Sequence, residues 1–196
     1  MTEGRTRGRP RSDAAVSHDA ILDAVRTILE EKSLKELTIE EVARRAGVGK
    51  PTIYKWWPSK AALVMDMFEE RIAIQFAVPK ARTAEEAIRG QVTEVIRLAG
   101  GFFGKVASEI IAEGQSDPVV LEEYRERYMS KRRAFTTEWI RKAQESGEFS
   151  RAVEPDLLID LIYGPIYYCL LVRHRKLDQK FGKELVDKVL SLVRTK

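Results

Sequence analysis

Lys50, Thr52, Tyr54, Lys55 and Trp56 stand together in one short segment of this 196-residue chain. Each offers an N–H or O–H donor, the groups that meet phosphate oxygens and the acceptor atoms on base edges. Ile53 and Trp57 lie four apart among them. On a helix that pair would face inward and leave the donors outside. The chemistry implied is recognition of nucleic acid, not bond making.

The flanking residues supply a scaffold for that surface. Thr38-x-x-Glu41 reads as a capping box, in which each side chain satisfies the other residue's backbone. Ile39, Val42, Ala43 and Ala46 follow on one helical face, and Gly47 suits the left-handed residue that closes a helix. Pro51 fits the first turn of a second helix, Pro58 stops it, and Ser59 can cap the next. Two short helices joined by a tight Gly-containing turn meet the description of a helix-turn-helix. An ordinary helical hairpin is the competing reading, but it has no need to expose those five donors together.

Residues 47–63 read Gly-Val-Gly-Lys-Pro-Thr-Ile-Tyr-Lys-Trp-Trp-Pro-Ser-Lys-Ala-Ala-Leu. This resembles the signature of the TetR family of transcriptional regulators, and the likeness is dense over residues 18–68. It departs at Gly49, where Ser is common, and at Trp56-Trp57, where Tyr-Phe or Trp-Phe is more usual. The resemblance implies that Thr52 and Lys55 read base edges, with Lys50 and Pro51 close by. It implies that Thr38, Tyr54, Trp56 and Lys60 hold phosphates and that Trp57 is core. Gly49 belongs to the same surface but lacks the side-chain contact a Ser would give. The resemblance also implies an all-α fold in which helix 59–78 links the DNA-binding part to a helical body.

The rest of the chain divides accordingly. Residues 1–16 are expected to be a flexible basic arm. Arg5, Arg7, Arg9 and Arg11 there equal the whole formal net charge of +4, and they suit the strong negative potential of a narrow minor groove. Residues 17–58 are the expected DNA-binding domain, 59–78 a connecting helix, and 79–196 a helical ligand-binding and dimerisation domain. In the first helix, Ser17 to Lys32, the stripe is Ile21, Leu22, Val25, Ile28 and Leu29. His18 reads as a surface or capping-turn residue. Thr83-x-x-Glu86 is a second capping box. Gly100-Gly101 breaks the pattern, and Ser116-Asp117-Pro118 opens a helix that can run to Gly147. Arg125, Arg127, Lys131, Arg132 and Arg133 on it read as a solvated face. Leu157 to Val172 is apolar nearly all round, with a kink expected at Gly164-Pro165. A last helix starts near Asp178.

Leu161, Tyr168, Phe181, Leu185, Val189 and Leu192 are the expected dimer interface, since two DNA half-sites need two recognition helices. Phe102, Phe103, Tyr128, Trp139, Tyr163, Tyr167 and Tyr168 are aromatics able to surround a pocket between helices. An enzyme finds no support. His18 and His174 are far apart, no His/Cys spacing suggests zinc, and no phosphate-cradling Gly loop follows a strand. No catalytic residue, metal or cofactor is expected. A single cysteine, Cys169, fits a reducing cytosol. No secretory signal is read and no membrane partner is expected, so a cytoplasmic location follows. The expected function is a homodimeric repressor, released from a pseudo-palindromic operator in double-stranded DNA by a small, largely apolar ligand. A ligand-independent architectural DNA binder and a helical protein-interaction module are the alternatives.

Overall fold

A computed structural model describes residues 13–72 and 81–194. Arg5, Arg7, Arg9 and Arg11 lie outside the described residues. The fold is all-α. Among the described residues there is no strand, only an isolated antiparallel bridge between Phe149 and Arg194. The chain divides into two compact units, Met1–Met67 and Phe68–Lys196.

The first unit holds α1 (Asp13–Glu31), α2 (Ile39–Ala46), α3 (Lys50–Trp56) and α4 (Lys60–Met67). Helix α1 begins at Asp13, so the last residues assigned to the arm are helical. Its five expected stripe residues are fully buried, and Leu34, Leu37, Val42, Ile53, Trp57 and Leu63 close the core with them. Gly47 ends α2 at φ 67°, a backbone conformation open to glycine at no steric cost. The Thr38 hydroxyl accepts from the Glu41 N–H at 3.3 Å. Glu41 does not complete the box. Its carboxylate takes Lys32 at 2.8 Å and Arg45 at 2.8 Å instead, because two cations outbid one amide.

The second unit begins where α4 passes into a π-helical turn, Phe68–Ile72. It continues with α5 (Ala84–Ala99), α6 (Phe102–Gly114), α7 (Pro118–Tyr124), α8 (Ser130–Ser146), α9 (Pro155–Val172) and α10 (Gln179–Leu190). The helix expected from Asp117 to Gly147 is present, but a second π-helical turn, Arg125–Met129, divides it into α7 and α8. Asp117 and Asp178 cap α7 and α10 as single side chains, accepting from Val119 and Phe181. The Thr83 box is again half made. Thr83 accepts from the Glu86 N–H at 3.1 Å, while the Glu86 carboxylate takes the Arg82 N–H. The remaining first-turn donors of α5 are met from far along the chain. Glu148 accepts from Ala84 N–H at 3.2 Å and from Glu85 N–H at 3.0 Å.

The core of this unit is built from α5, α8, α9 and α10, with Ile88, Val92, Ile140, Leu158, Ile162, Val186 and Leu190 inside it. Helix α9 is assigned as one helix through Pro165, so Gly164-Pro165 does not end it. Its 18 residues, at mean hydropathy 1.4, match a membrane span in length and composition. Leu158, Ile159, Ile162, Ile166 and Cys169 are nevertheless buried within this unit. Phe181 and Val189 also belong to this core, with Leu185 packed against it. Phe181 and Val189 are therefore covered by the protomer itself and leave the expected dimer interface, whereas Leu185 is half-buried and Leu192 is 52% exposed.

Candidate functional site

The surface of α3 follows from its two inward residues. Ile53 and Trp57 are buried, at 0% and 2% exposure, while Tyr54 and Trp56 remain 53% and 43% exposed. Lys50, Pro51 and Lys55 are also exposed, and Thr52 is half-buried. Thr38 and Gly49, at the starts of α2 and α3, are exposed on the same unit. Gly49 caps α3 without a side-chain bond.

Two of the expected contacts are already engaged. The Lys50 ammonium pairs with Glu40 at 2.9 Å, and this bond holds the Glu40 carboxyl below its ordinary range. Lys60 donates to the Leu34 carbonyl at 3.1 Å. Its ammonium thus ties α4 to the turn before α2.

His18 is not a simple surface residue. Its ring centroid lies 5.1 Å from that of Trp56, edge-on, and 4.8 Å from that of Trp57. The Trp57 indole N–H donates to Asp66 on α4. An aromatic group on α1 and a carboxylate on α4 thus fix the end of α3. Sequence reasoning missed both partners, because each contact joins residues that no helical period connects.

A cavity of about 50 Å³ lies within the second unit. Of the seven aromatics, Phe103, Tyr128, Tyr163 and Tyr167 line it, together with Met129, Arg132, Ile159 and Ile166. Phe102, Trp139 and Tyr168 do not. Phe102 and Phe103, and likewise Tyr167 and Tyr168, diverge by about 100° on their helices, and of each pair only Phe103 and Tyr167 face the cavity. Trp139 packs against the core, and Tyr168 is 58% exposed, its ring 4.6 Å from that of His174.

The polar groups at this cavity are paired. Tyr163 donates to the Gln91 side-chain oxygen at 2.8 Å, and the Thr136 hydroxyl lies 3.0 Å from the same atom. The Tyr124 and Tyr167 hydroxyls lie 3.0 Å apart. Burial pushes the pKa values of Tyr124, Tyr163 and Tyr167 upward, so these hydroxyls are neutral and offer hydrogen bonds, not charge. Arg133 on the rim is held by Asp156 and Asp160. Nearby, Arg127 and Lys131 are held by Glu69 at 2.7 and 2.8 Å. The basic stretch of the sequence is largely an ion-pair network. Phe68 reaches the same wall, its ring centroid 5.4 Å from Phe103 and 5.1 Å from Tyr128.

Comparison with known proteins agrees with this architecture. Residues 21–67 match the family model of bacterial regulatory proteins, tetR family. Residues 78–189 match that of the tetracyclin repressor-like C-terminal domain. An uncharacterized HTH-type transcriptional regulator of Bacillus subtilis, YdeS, is 37% identical over 92% of this chain and 90% of its own. The crystal structure of the TetR family transcription regulator SCO0332 is 32% identical, covering 91% of this chain and 99% of its own at TM-score 0.73. FadR of Bacillus subtilis, in complex with stearoyl-CoA, shares the fold at 18% identity and TM-score 0.65, covering 90% of this chain and 100% of its own. A helix-turn-helix unit followed by a helical C-terminal unit, in a chain matched by both models, is a transcriptional regulator rather than an enzyme: the protein belongs to the TetR family.

Proposed function

We propose that the protein is a homodimeric repressor that binds a pseudo-palindromic operator through α3 and is released by a small ligand held in the tyrosine-lined cavity. The exposed row on α3, beside a fully buried Ile53, carries this reading. Thr52 and Lys55 are assigned to base edges. Tyr54, Trp56 and Thr38 are assigned to phosphates, which set register without reading sequence. Lys60 is reassigned as an anchor of α4, given its bond to Leu34. The basic arm is assigned to the minor groove. The site is a cytoplasmic one in this reading.

Exposed residues on α9 support the dimer. Leu157, Leu161, Tyr168, Leu171 and Val172 form an apolar stripe at helical spacing, each at least 36% exposed. An extra Cβ at Gly164, in the middle of that stretch, would meet nothing within 4 Å. Two such faces packed together would join two copies of the chain, as an operator with two half-sites about 34 Å apart, one helical turn of DNA, requires.

Release requires a ligand that binds one arrangement of the dimer better than another, since equal affinity shifts nothing. A cavity of about 50 Å³ is well below the several hundred Å³ of ordinary ligand sites. Entry must therefore part Tyr128 and Met129 from α9. Phe68 packs on Tyr128 and Phe103, so such movement bears on the π-helical end of α4. That helix is the assigned lever. The bound stearoyl-CoA of the FadR neighbour agrees with an apolar chain as part of the ligand.

The test is selection of bound fragments from the source genome at physiological salt, followed by sequencing. Enrichment of a few fragments sharing an inverted repeat is the expected result. Retention without a shared repeat would return the architectural reading, and no retention by folded protein would remove DNA binding from the account.

A further inference from the structure

We infer that a second, basic cavity beside the tyrosine-lined one is the head-group site of an amphiphilic ligand carrying phosphate. This rests on the ligand-responsive reading above and specifies its ligand class.

The second cavity is an open surface cleft of about 430 Å³, on which Arg173, Arg175 and Lys176 are exposed. It shares Ala99 and Leu170 with the tyrosine-lined cavity, so one elongated molecule can occupy both. Lys105, Arg173, Arg175 and Lys176 line it, and no carboxylate does. Among the described residues Arg173, Arg175 and Lys176 make no ion pair, whereas Arg127 and Arg133 elsewhere in this unit are each held by acids. Lys105 meets Glu109 at 3.9 Å. The Arg175 guanidinium is seated 4.4 Å over the Phe181 ring, which fixes its place without neutralising it.

Gly100 and Gly101, between α5 and α6, also line the cleft. A Cβ at either would come no closer than 3.7 Å to its neighbours, and neither has positive φ. Packing therefore does not demand glycine there. Close approach of backbone to a ligand is a remaining use for it.

The charge and the volume together select the head group. One carboxylate would answer one cation and fill little of 430 Å³. A phosphate-bearing head answers several cations through charge-assisted bonds. The tyrosine-lined cavity, whose hydroxyls are neutral and already paired, suits the chain. Such a head belongs either to a phospholipid-type monoester or to a thioester of a phosphorylated carrier.

Calorimetry on the full-length protein tests this, using dodecyl phosphate, dodecanoyl-CoA, dodecanoate and dodecanol below their micellar concentrations. The expected result is binding of one or both phosphate-bearing probes at least about tenfold tighter than dodecanol or dodecanoate. The double variant Arg173→Asn/Lys176→Gln should remove that advantage and leave dodecanol unchanged. Asn is chosen because residue 173 is left-handed at φ 55°, a conformation Asn tolerates. A preference for dodecanoyl-CoA assigns the carrier thioester, and one for dodecyl phosphate assigns the lipid monoester. Equal binding of dodecanol or dodecanoate, or undiminished phosphate binding by the folded variant, overturns the head-group site and leaves the apolar cavity standing. No binding by any probe overturns both.

Discussion

Lys55 and Tyr54 are adjacent on α3, yet their losses should differ in kind. Lys55→Ala should relax preference at one operator position by about 1–3 kcal/mol, while Tyr54→Phe should weaken all sequences about evenly. Competition binding against a panel of single-base operator variants separates the two. Gly49→Ser is expected to strengthen the protein. The added Cβ would meet only Pro51 Cδ, at an ordinary 3.5 Å, and the hydroxyl would cap α3. A gain of a few tenths of a kcal/mol is expected by denaturant titration, with tighter operator binding. The exposed row was legible because Ile53 and Trp57, four apart, dictate what faces out. His18 was not legible, since its ring contacts cross 38 residues of chain. Glu41 was misread because a capping pattern counts one amide and does not see the Lys32 and Arg45 cations that α1 and α2 bring to it.

Helices carry three further expectations. The α1–α2 pair is held by Glu41, whose carboxyl lies below its ordinary range through Lys32 first and Arg45 second. A depressed folded value means this stability is present above the unfolded value of about 4.3 and is lost as pH falls through the folded one. Glu41→Gln should flatten the acid side of a melting-temperature profile for the first unit. At the α5–α6 corner a Cβ on Gly104 would lie 1.9 Å from the Ala99 carbonyl oxygen. Gly104→Ala should therefore cost about 1–3 kcal/mol or more, read by chemical denaturation, because backbone cannot step aside. Phe68→Leu keeps an apolar side chain in place but loses the ring contacts to Phe103 and Tyr128. It should reduce ligand-driven release while leaving operator affinity within about twofold, as measured by titration with and without ligand. Helix positions were largely legible from caps and glycines. The two π-helical turns were not, because one extra residue in a turn leaves the 3.6 period intact on either side.

The assembled protein brings in what no single helix records. A periodic stripe shows which residues share a face but not what covers it. Hence α10 read as an interface, and Phe181 and Val189 are core instead. The exposed stripe of α9 is the better candidate. Leu161→Glu/Leu171→Glu should yield a folded monomer in sedimentation and lose operator affinity, because one recognition helix reaches one half-site. The carboxylate of Glu148 gives this unit another property. A helix capped by its own sequence can fray at its end while the protein stays folded. Helix α5 has two first-turn amides, Ala84 and Glu85, bonded to a side chain more than sixty residues further on. Their hydrogen exchange should report not local fraying but separation of the corner after α8 from the start of α5. These two amides are thus a built-in gauge of whether the helical unit has closed.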